Sequence, residues 1–186
     1  MVTEYKIFRR YSNTEDSMFR KCLLTAALIL GLTAAPLFAS MVSFLVVEEG
    51  LQPGSDAGDY SSLWEGGLMG AFFDAGHIVS NSPVLRVEKL SPSGENTAVP
   101  AEVQKDYLEA NSGGADFFIL AVLEYRLQDK KMKPFQVDIK IIRTNNGQLV
   151  YNESFPAGSA VNLQEEYLNA QQTGGVIAAQ LEGNKK

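Results

Sequence analysis

Between Asp116 and Phe155 the apolar and polar positions fall into three consecutive runs. Phe117 to Leu123 is continuously apolar, the pattern of a central strand covered on both faces, and the chain then alternates through Glu124, Tyr125, Arg126 and Leu127. From Phe135 the alternation is strict. Phe135, Val137, Ile139 and Ile141 share one side and Gln136, Asp138 and Lys140 the other, which predicts a half-buried strand. A shorter run, Gln148 to Phe155, carries Leu149, Val150, Tyr151 and Phe155. The charged stretch Gln128 to Pro134 predicts a loop, its proline suited to the opening of a strand or to an edge. Asn145-Asn146-Gly147 marks a hairpin. A two-residue turn would set Ile141 opposite Asn152. A three-residue loop with Gly147 left-handed sets Ile141 opposite Tyr151 and Val137 opposite Phe155. A slip of one residue moves side chains to the wrong face, so the second register is preferred.

The preceding chain supplies covers for this meander. Met41 to Val47 is apolar and β-branched and predicts a first strand, followed by a Gly- and acid-rich loop from Glu48 to Asp59. Ser62-Leu63-Trp64-Glu65 has capping-box spacing, and Trp64, Leu68, Ala71, Phe72 and Ala75 recur at helical spacing up to a stop at Gly76. Gly66, Gly67 and Gly70 within that helix imply close packing on the sheet. His77 to Asn81 predicts a short strand, with a break at Ser82-Pro83 and an irregular continuation from Val84 to Leu90. After a polar loop, Ser91 to Val99, Pro100 opens a second helix with Val103, Tyr107 and Ala110 on one face, ended by Asn111-Ser112-Gly113-Gly114. A third helix starts at a second capping box, Asn162 to Glu165, with Leu163, Tyr167 and Ala170 inward and a break or kink at Gly174-Gly175. The predicted fold is α/β (α+β): a single-domain mixed sheet of about five strands with an antiparallel three-strand meander and three helices, order βαβαβββα. Strands one and two are expected to be parallel, and the helices to lie mainly on one face.

Residues 1–39 have a different character. After a polar start, Phe19-Arg20-Lys21 gives a short positive region, Cys22 to Leu32 is apolar, and small residues lead to Ala39. This is the plan of a secretory signal peptide cleaved after Ala39, with Met18 a plausible true start; an uncleaved inner-membrane anchor is the alternative. The domain plan is thus a leader and signal peptide over 1–39 and a single periplasmic α/β domain over 40–186. Cys22 is the only cysteine, so the exported part would have no disulfide and no thiolate chemistry.

Charge narrows the function classes. The chain holds 22 acidic and 16 basic residues, and because five basic and three acidic residues precede Ser40, the net charge after residue 39 is −8. Such a domain is poorly suited to nucleic acid or to an anionic bilayer, and no membrane insertion is expected once the signal is removed. Lys130, Lys131 and Lys133 cluster at what reads as a solvated hairpin tip that discourages edge pairing.

The candidates for chemistry are weak. His77, the one histidine, lies near Asp74, Ser80 and Ser82, but no nucleophile elbow accompanies it. Glu48, Glu49, Asp56 and Asp59 do not follow a calcium-loop pattern. Glu124 with Asp138 or Glu153 reads as surface charge paired across strands with Arg126, Lys140 or Arg143. No catalytic residue, cofactor or metal is predicted.

Gly114-Ala115-Asp116 entering an apolar strand, and Ile141 to Val150 running through a short Asn-Gly turn, resemble a bacterial envelope family. That family contains the curli-secretion channel protein CsgG, the penicillin-binding-protein activator LpoB and the amino-terminal domain of TolB. The resemblance spans about Val42 to Leu181. It implies a small α/β domain that binds other envelope proteins and has no enzymatic activity. The chain departs from the family in lacking the lipid-bearing cysteine of the first two and the propeller of the third. The leading expectation is a non-enzymatic periplasmic interaction module, an accessory or adaptor of an envelope assembly, with other envelope proteins as partners and its oligomeric state open. Ile142 and Val150, expected to pair on the otherwise polar side of the meander, form a candidate partner contact. The alternatives are a small-ligand-binding protein with a pocket at Trp64, Phe72, Phe73 and His77, and a hydrolase using His77.

Overall fold

The computed structural model describes residues 39–51, 55, 59–87, 100–128 and 130–183. The leader and signal segment before Ala39, the polar stretch 91–99, Asp56 and residues 184–186 lie outside the described residues. The element order is β1 (Met41–Glu49), α1 (Tyr60–Asp74), β2 (Ile78–Asn81), β3 (Leu85–Val87), α2 (Ala101–Ser112), β4 (Phe117–Gln128), β5 (Lys131–Arg143), β6 (Leu149–Pro156) and α3 (Leu163–Gly183). The strands form one mixed sheet in the order β2-β1-β4-β5-β6, with β3 continuing along the β2 edge of β1. Six strands therefore stand among the described residues where about five were expected, because Ser82-Pro83 interrupts one edge strand. β1 is parallel to β2, β3 and β4; β4, β5 and β6 form the antiparallel meander.

The apolar runs take the covered places. β1 and β4 lie inside the sheet, and Val42–Val47 and Phe117–Leu123 are buried throughout. The β5–β6 hairpin has Ile141 opposite Tyr151 and Val137 opposite Phe155, the register of the three-residue loop. Gly147 takes φ +68°, open to glycine without strain, and its N–H donates to the Arg143 carbonyl at 2.9 Å. Asp116 fastens the entry of β4 to the start of β1: its N–H donates to the Met41 carbonyl at 2.7 Å and its carboxylate accepts from the Met41 N–H at 2.9 Å.

Two layers cover the sheet unequally. On one face α1 and α3 bury Val42, Phe44, Val46, Ile119, Leu123, Val137, Ile139 and Ile141. On the other, α2 sets Val103 and Ala110 over Leu45, Val47, Phe118, Leu120 and Val122. Tyr107 packs edge-on to Phe118 with ring centres 5.7 Å apart and donates to the Thr144 carbonyl at 2.9 Å. Beyond the reach of α2 this second face is polar, with Gln136, Asp138 and Lys140 on β5 half-buried or exposed.

Three local expectations change and one holds. The charged stretch Gln128 to Pro134 is mostly strand: β4 and β5 pair as far as Gln128 and Lys131, and a bulge at Glu124/Tyr125 passes over Phe135 and leaves Pro134 opposite Tyr125. α1 starts at Tyr60 rather than Ser62, and Asp59 at its N-cap makes no side-chain capping bond. α3 opens as its capping box predicts, with Asn162 Oδ1 accepting from the Glu165 N–H at 2.9 Å, while the Glu165 carboxylate takes the Val161 N–H at 3.1 Å. The helix then runs unbroken through Gly174-Gly175.

Gly67 on α1 and Gly174 on α3 mark where the two helices touch each other, not the sheet. A Cβ on Gly67 would lie 2.6 Å from Ala170 Cβ, and one on Gly174 would lie 2.8 Å from Ala71 Cβ. These contacts advance together along both chains, so the helices run in the same direction. The buried stripe of α3 is Glu166, Ala170, Gly174, Ile177 and Leu181, with Tyr167 half-buried, whereas Leu163 faces outward. No helix among the described residues is long and apolar enough to cross a membrane, which says nothing of strand-built membrane proteins.

Candidate functional site

The four residues expected to line a pocket do not share one surface. Trp64 and Phe72 are fully buried in the α1–α3 core, and His77 is buried beside them. Phe73 points the other way and is 68% exposed, because residues adjacent on a helix cannot share a face. The His77 ring packs on Phe72 with centres 5.6 Å apart, and its Nδ1 accepts from the Ser40 N–H at 3.4 Å. Asp74 and Ser80 are exposed around it, so the three types needed for a nucleophilic triad are not gathered. Neither of the surface depressions described below is lined by any of the four proposed pocket residues.

Ile142 and Val150 are separated by the sheet. A bulge at Ile141/Ile142 pairs Ile142 with Leu149 rather than Val150. Ile142 packs with the α2-side cluster, whereas Val150 packs with the α1–α3 core. An irregularity of one residue is enough to turn a side chain to the opposite face.

The buried charges serve the fold. Glu48, at the carboxyl end of β1, accepts from Arg86 Nε at 2.7 Å and from the Ser61 hydroxyl, which lies 3.0 Å from the Tyr125 hydroxyl. Burial pushes the Tyr125 hydroxyl above its ordinary range, so this network carries a neutral tyrosine. Glu166, 1% exposed, accepts through Oε1 from Trp64 Nε1 at 2.8 Å and from the Gly158 N–H at 2.7 Å.

On the polar face, Glu124 has neither Arg126 nor Lys140 as an ion-pair partner among the described residues. Burial, then the neighbouring Asp138 and Glu49, hold its carboxyl above the usual value. Asp138 accepts from Gln136 Nε2 at 2.8 Å, and Arg143 lies over the Phe117 ring at 5.1 Å. No group of three or more His, Cys, Asp or Glu among the described residues is placed to hold a metal.

The concave feature with the richest chemistry lies at the carboxyl ends of β1 and β4. It is an open groove of about 970 Å³. Its floor comes from Gly50 and Tyr125, one wall from the β4–β5 hairpin, and the rest from Tyr60 at the start of α1 and from residues 160–163 leading into α3. The sheet places it there: parallel strands end at one side, and the helices that cover them begin at that same side. Both helix starts add partial positive charge. Arg126, Lys130, Lys131 and Lys133 line the hairpin wall, with Asp59 the one carboxylate among the described residues of the lining. Leu127, Val161 and Leu163 add apolar surface that is 71%, 91% and 44% exposed. Arg126 stands directly opposite Lys133 across the hairpin and lies 4.7 Å above the Phe135 ring.

The lysines were visible in the sequence, but as a solvated tip; their union with Arg126, Leu127 and Val161 was not. Those residues are adjacent only because β4 and β5 extend through the charged stretch and α3 returns beside them. A shallower depression of about 580 Å³ lies on the outer side of α2, around Gln104, Leu108 and Ser112.

No protein-family model matches the chain, and no curated protein matches it. Among solved structures it is similar to the PelC dodecamer from Paraburkholderia phytofirmans, at 13% identity and TM-score 0.45, over 74% of this chain and 86% of that one. It is similar to lipoprotein GNA1162 from Neisseria meningitidis at 13% identity and TM-score 0.40, over 76% of this chain and 99% of that one. It is also similar to TolB from Acinetobacter baumannii, one of the proteins of the motif resemblance, at 14% identity and TM-score 0.34, over 75% of this chain but only 26% of TolB.

Proposed function

We propose that this domain is a non-catalytic protein-interaction module of the bacterial cell envelope, an accessory or adaptor that works in the periplasm after export, and that it meets its partner at the groove beside the β4–β5 hairpin. The observation that carries this reading is the make-up of the groove. Exposed Leu127 and Val161 beside a row of cations form a surface with both adhesion and selectivity, the two properties a protein contact needs. The chemistry of the remaining charges supports it. Glu48 and Glu166 are engaged by donors of their own chain and face the interior, and His77 is enclosed between Ser40 and Phe72. The signal-like leader supports export, and the motif resemblance supports an envelope setting.

The test is site-specific photocrosslinking in cells that make the protein. A photoreactive residue at Leu127 or Val161 is expected to give a discrete adduct with another envelope protein, while one at Lys140, exposed near the other end of β5 and outside the groove lining, gives none. Adducts that are absent from the groove positions, or equally strong at all three, would refute it.

A further inference from the structure

We infer that the groove takes an acidic, partly apolar peptide segment of its partner, bound in extended form along the free edge of β5. This rests on the proposed interaction role and adds the chemistry of what is recognised. Four cations, Arg126, Lys130, Lys131 and Lys133, share one groove on a domain whose net charge is negative. None of them forms an ion pair among the described residues. Arg126 and Lys133 are direct cross-strand partners, an arrangement that repels and that an anion lying between them would relieve. The chain places like charges together here while its interior carboxylates each have donors.

Three further observations favour a peptide. β5 pairs with β4 from Lys131 onward, but with β6 only from Gln136, so its outer edge over Lys131–Lys133 has no strand neighbour among the described residues. An edge of this kind is matched by another backbone, which gives hydrogen bonds without regard to side chain. Leu127 and Val161 offer nothing to a polyanionic glycan, whereas they suit apolar side chains alternating with carboxylates. The groove is also far larger than a simple anion requires, and the overall negative charge opposes an anionic bilayer.

The test uses the purified protein and fluorescent peptides in which Asp alternates with Leu, read by anisotropy. Binding is expected, with affinity falling steeply as salt rises. The peptide with Asn in place of Asp is expected to bind roughly tenfold more weakly or worse, as is the Asp peptide to the Lys131→Glu/Lys133→Glu variant. Lys133→Glu alone places an opposite charge before Arg126. Its thermal midpoint should hold or rise while its binding falls, which a purely structural role for Lys133 would not produce. Equal binding of the Asp and Asn peptides would overturn the inference. So would unchanged binding by the double variant, or tighter binding to a polyuronate or to phosphatidylglycerol vesicles. Sedimentation that shows the groove filled by a second copy, dispersed by Lys131→Glu, would also overturn it. If the peptides fail while crosslinks from Leu127 and Val161 still reach an envelope protein, the interaction role stands and the acidic-peptide inference alone falls.

Discussion

Replacing Glu166 separates two roles of one buried side chain. Its Oε1 accepts from both Trp64 Nε1, at 2.8 Å, and the Gly158 N–H, at 2.7 Å, while Oε2 has only the Ala160 N–H at 3.4 Å. Glu166→Ala removes the shared acceptor. Trp64 is fully buried, so its indole N–H is left with no route to water; Gly158 is half-buried and can be partly rehydrated. An orphaned buried donor costs about 1–3 kcal/mol, and the void left by the carboxyl group adds to that, while release of a buried charge offsets part of it. The net loss is about 2–4 kcal/mol, which for a domain of this size lowers the midpoint by about 6–15 °C. Glu166→Gln keeps an oxygen where both short bonds end and turns its amide only toward the long contact, so it should cost about 1 kcal/mol. Differential scanning fluorimetry gives the midpoints. Trp64 is the sole tryptophan, so its emission reports the site directly and should shift to the red in the alanine variant alone. Equal midpoints for the two variants, or an unchanged emission maximum in Glu166→Ala, would show that the carboxylate does not hold the indole and the 158–160 turn together.

Other outcomes follow from separate contacts. Gly174→Ala should destabilise by about 1–3 kcal/mol in denaturant titration, since its Cβ would sit 2.8 Å from Ala71 Cβ and 3.1 Å from Leu68 Cα. Gly175→Ala, with nothing within 4 Å, should instead gain about 0.5–1 kcal/mol from helix propensity. Arg86→Ala strips Glu48 of its cation and should cost about 1–3 kcal/mol, moderated because the arginine side chain is 45% exposed. Glu124→Gln gives a pH signature. The folded carboxyl sits above the ordinary glutamate value, so ionised Glu124 opposes the fold, and that penalty develops as pH rises from the ordinary value through the folded one. The glutamine variant should therefore melt slightly higher than the parent at pH 7 and level with it below that window; the reverse order would contradict the placement of Glu124 beside Asp138 and Glu49.

The strands were legible because alternation and the Asn-Asn-Gly turn are local signals: Val137, Ile139 and Ile141 named their own face, and Gly147 set the register. α1 was legible for the same reason, through Trp64, Leu68 and Phe72. The phase of α3 was not, since a glutamate in the inward stripe reads as a surface residue until Trp64 supplies its partner from another helix. Lys131 to Pro134 reads as loop because Met132 alone, between two lysines and before a proline, is too little apolar pattern to show a period. The groove escaped for a different reason. Its wall and floor come from β1, α1, the β4–β5 hairpin and the approach to α3, and only the folded sheet makes them neighbours. The sequence resemblance pointed to interaction but had no residues to offer for it, whereas the exposed Leu127 and Val161 are ordinary letters until seen beside Arg126.

The side-by-side contact of α1 and α3 also governs when the chain can fold. Trp64 and Glu166 meet across 102 positions, and Gly67 receives Ala170 from the last described helix. A nascent chain that has completed all six strands still leaves Trp64, Leu68 and Phe72 without their cover, so burial of the larger core waits until the final helix is available. Contacts this remote in sequence slow collapse to the native state. They leave the larger core uncovered until synthesis has passed Leu181.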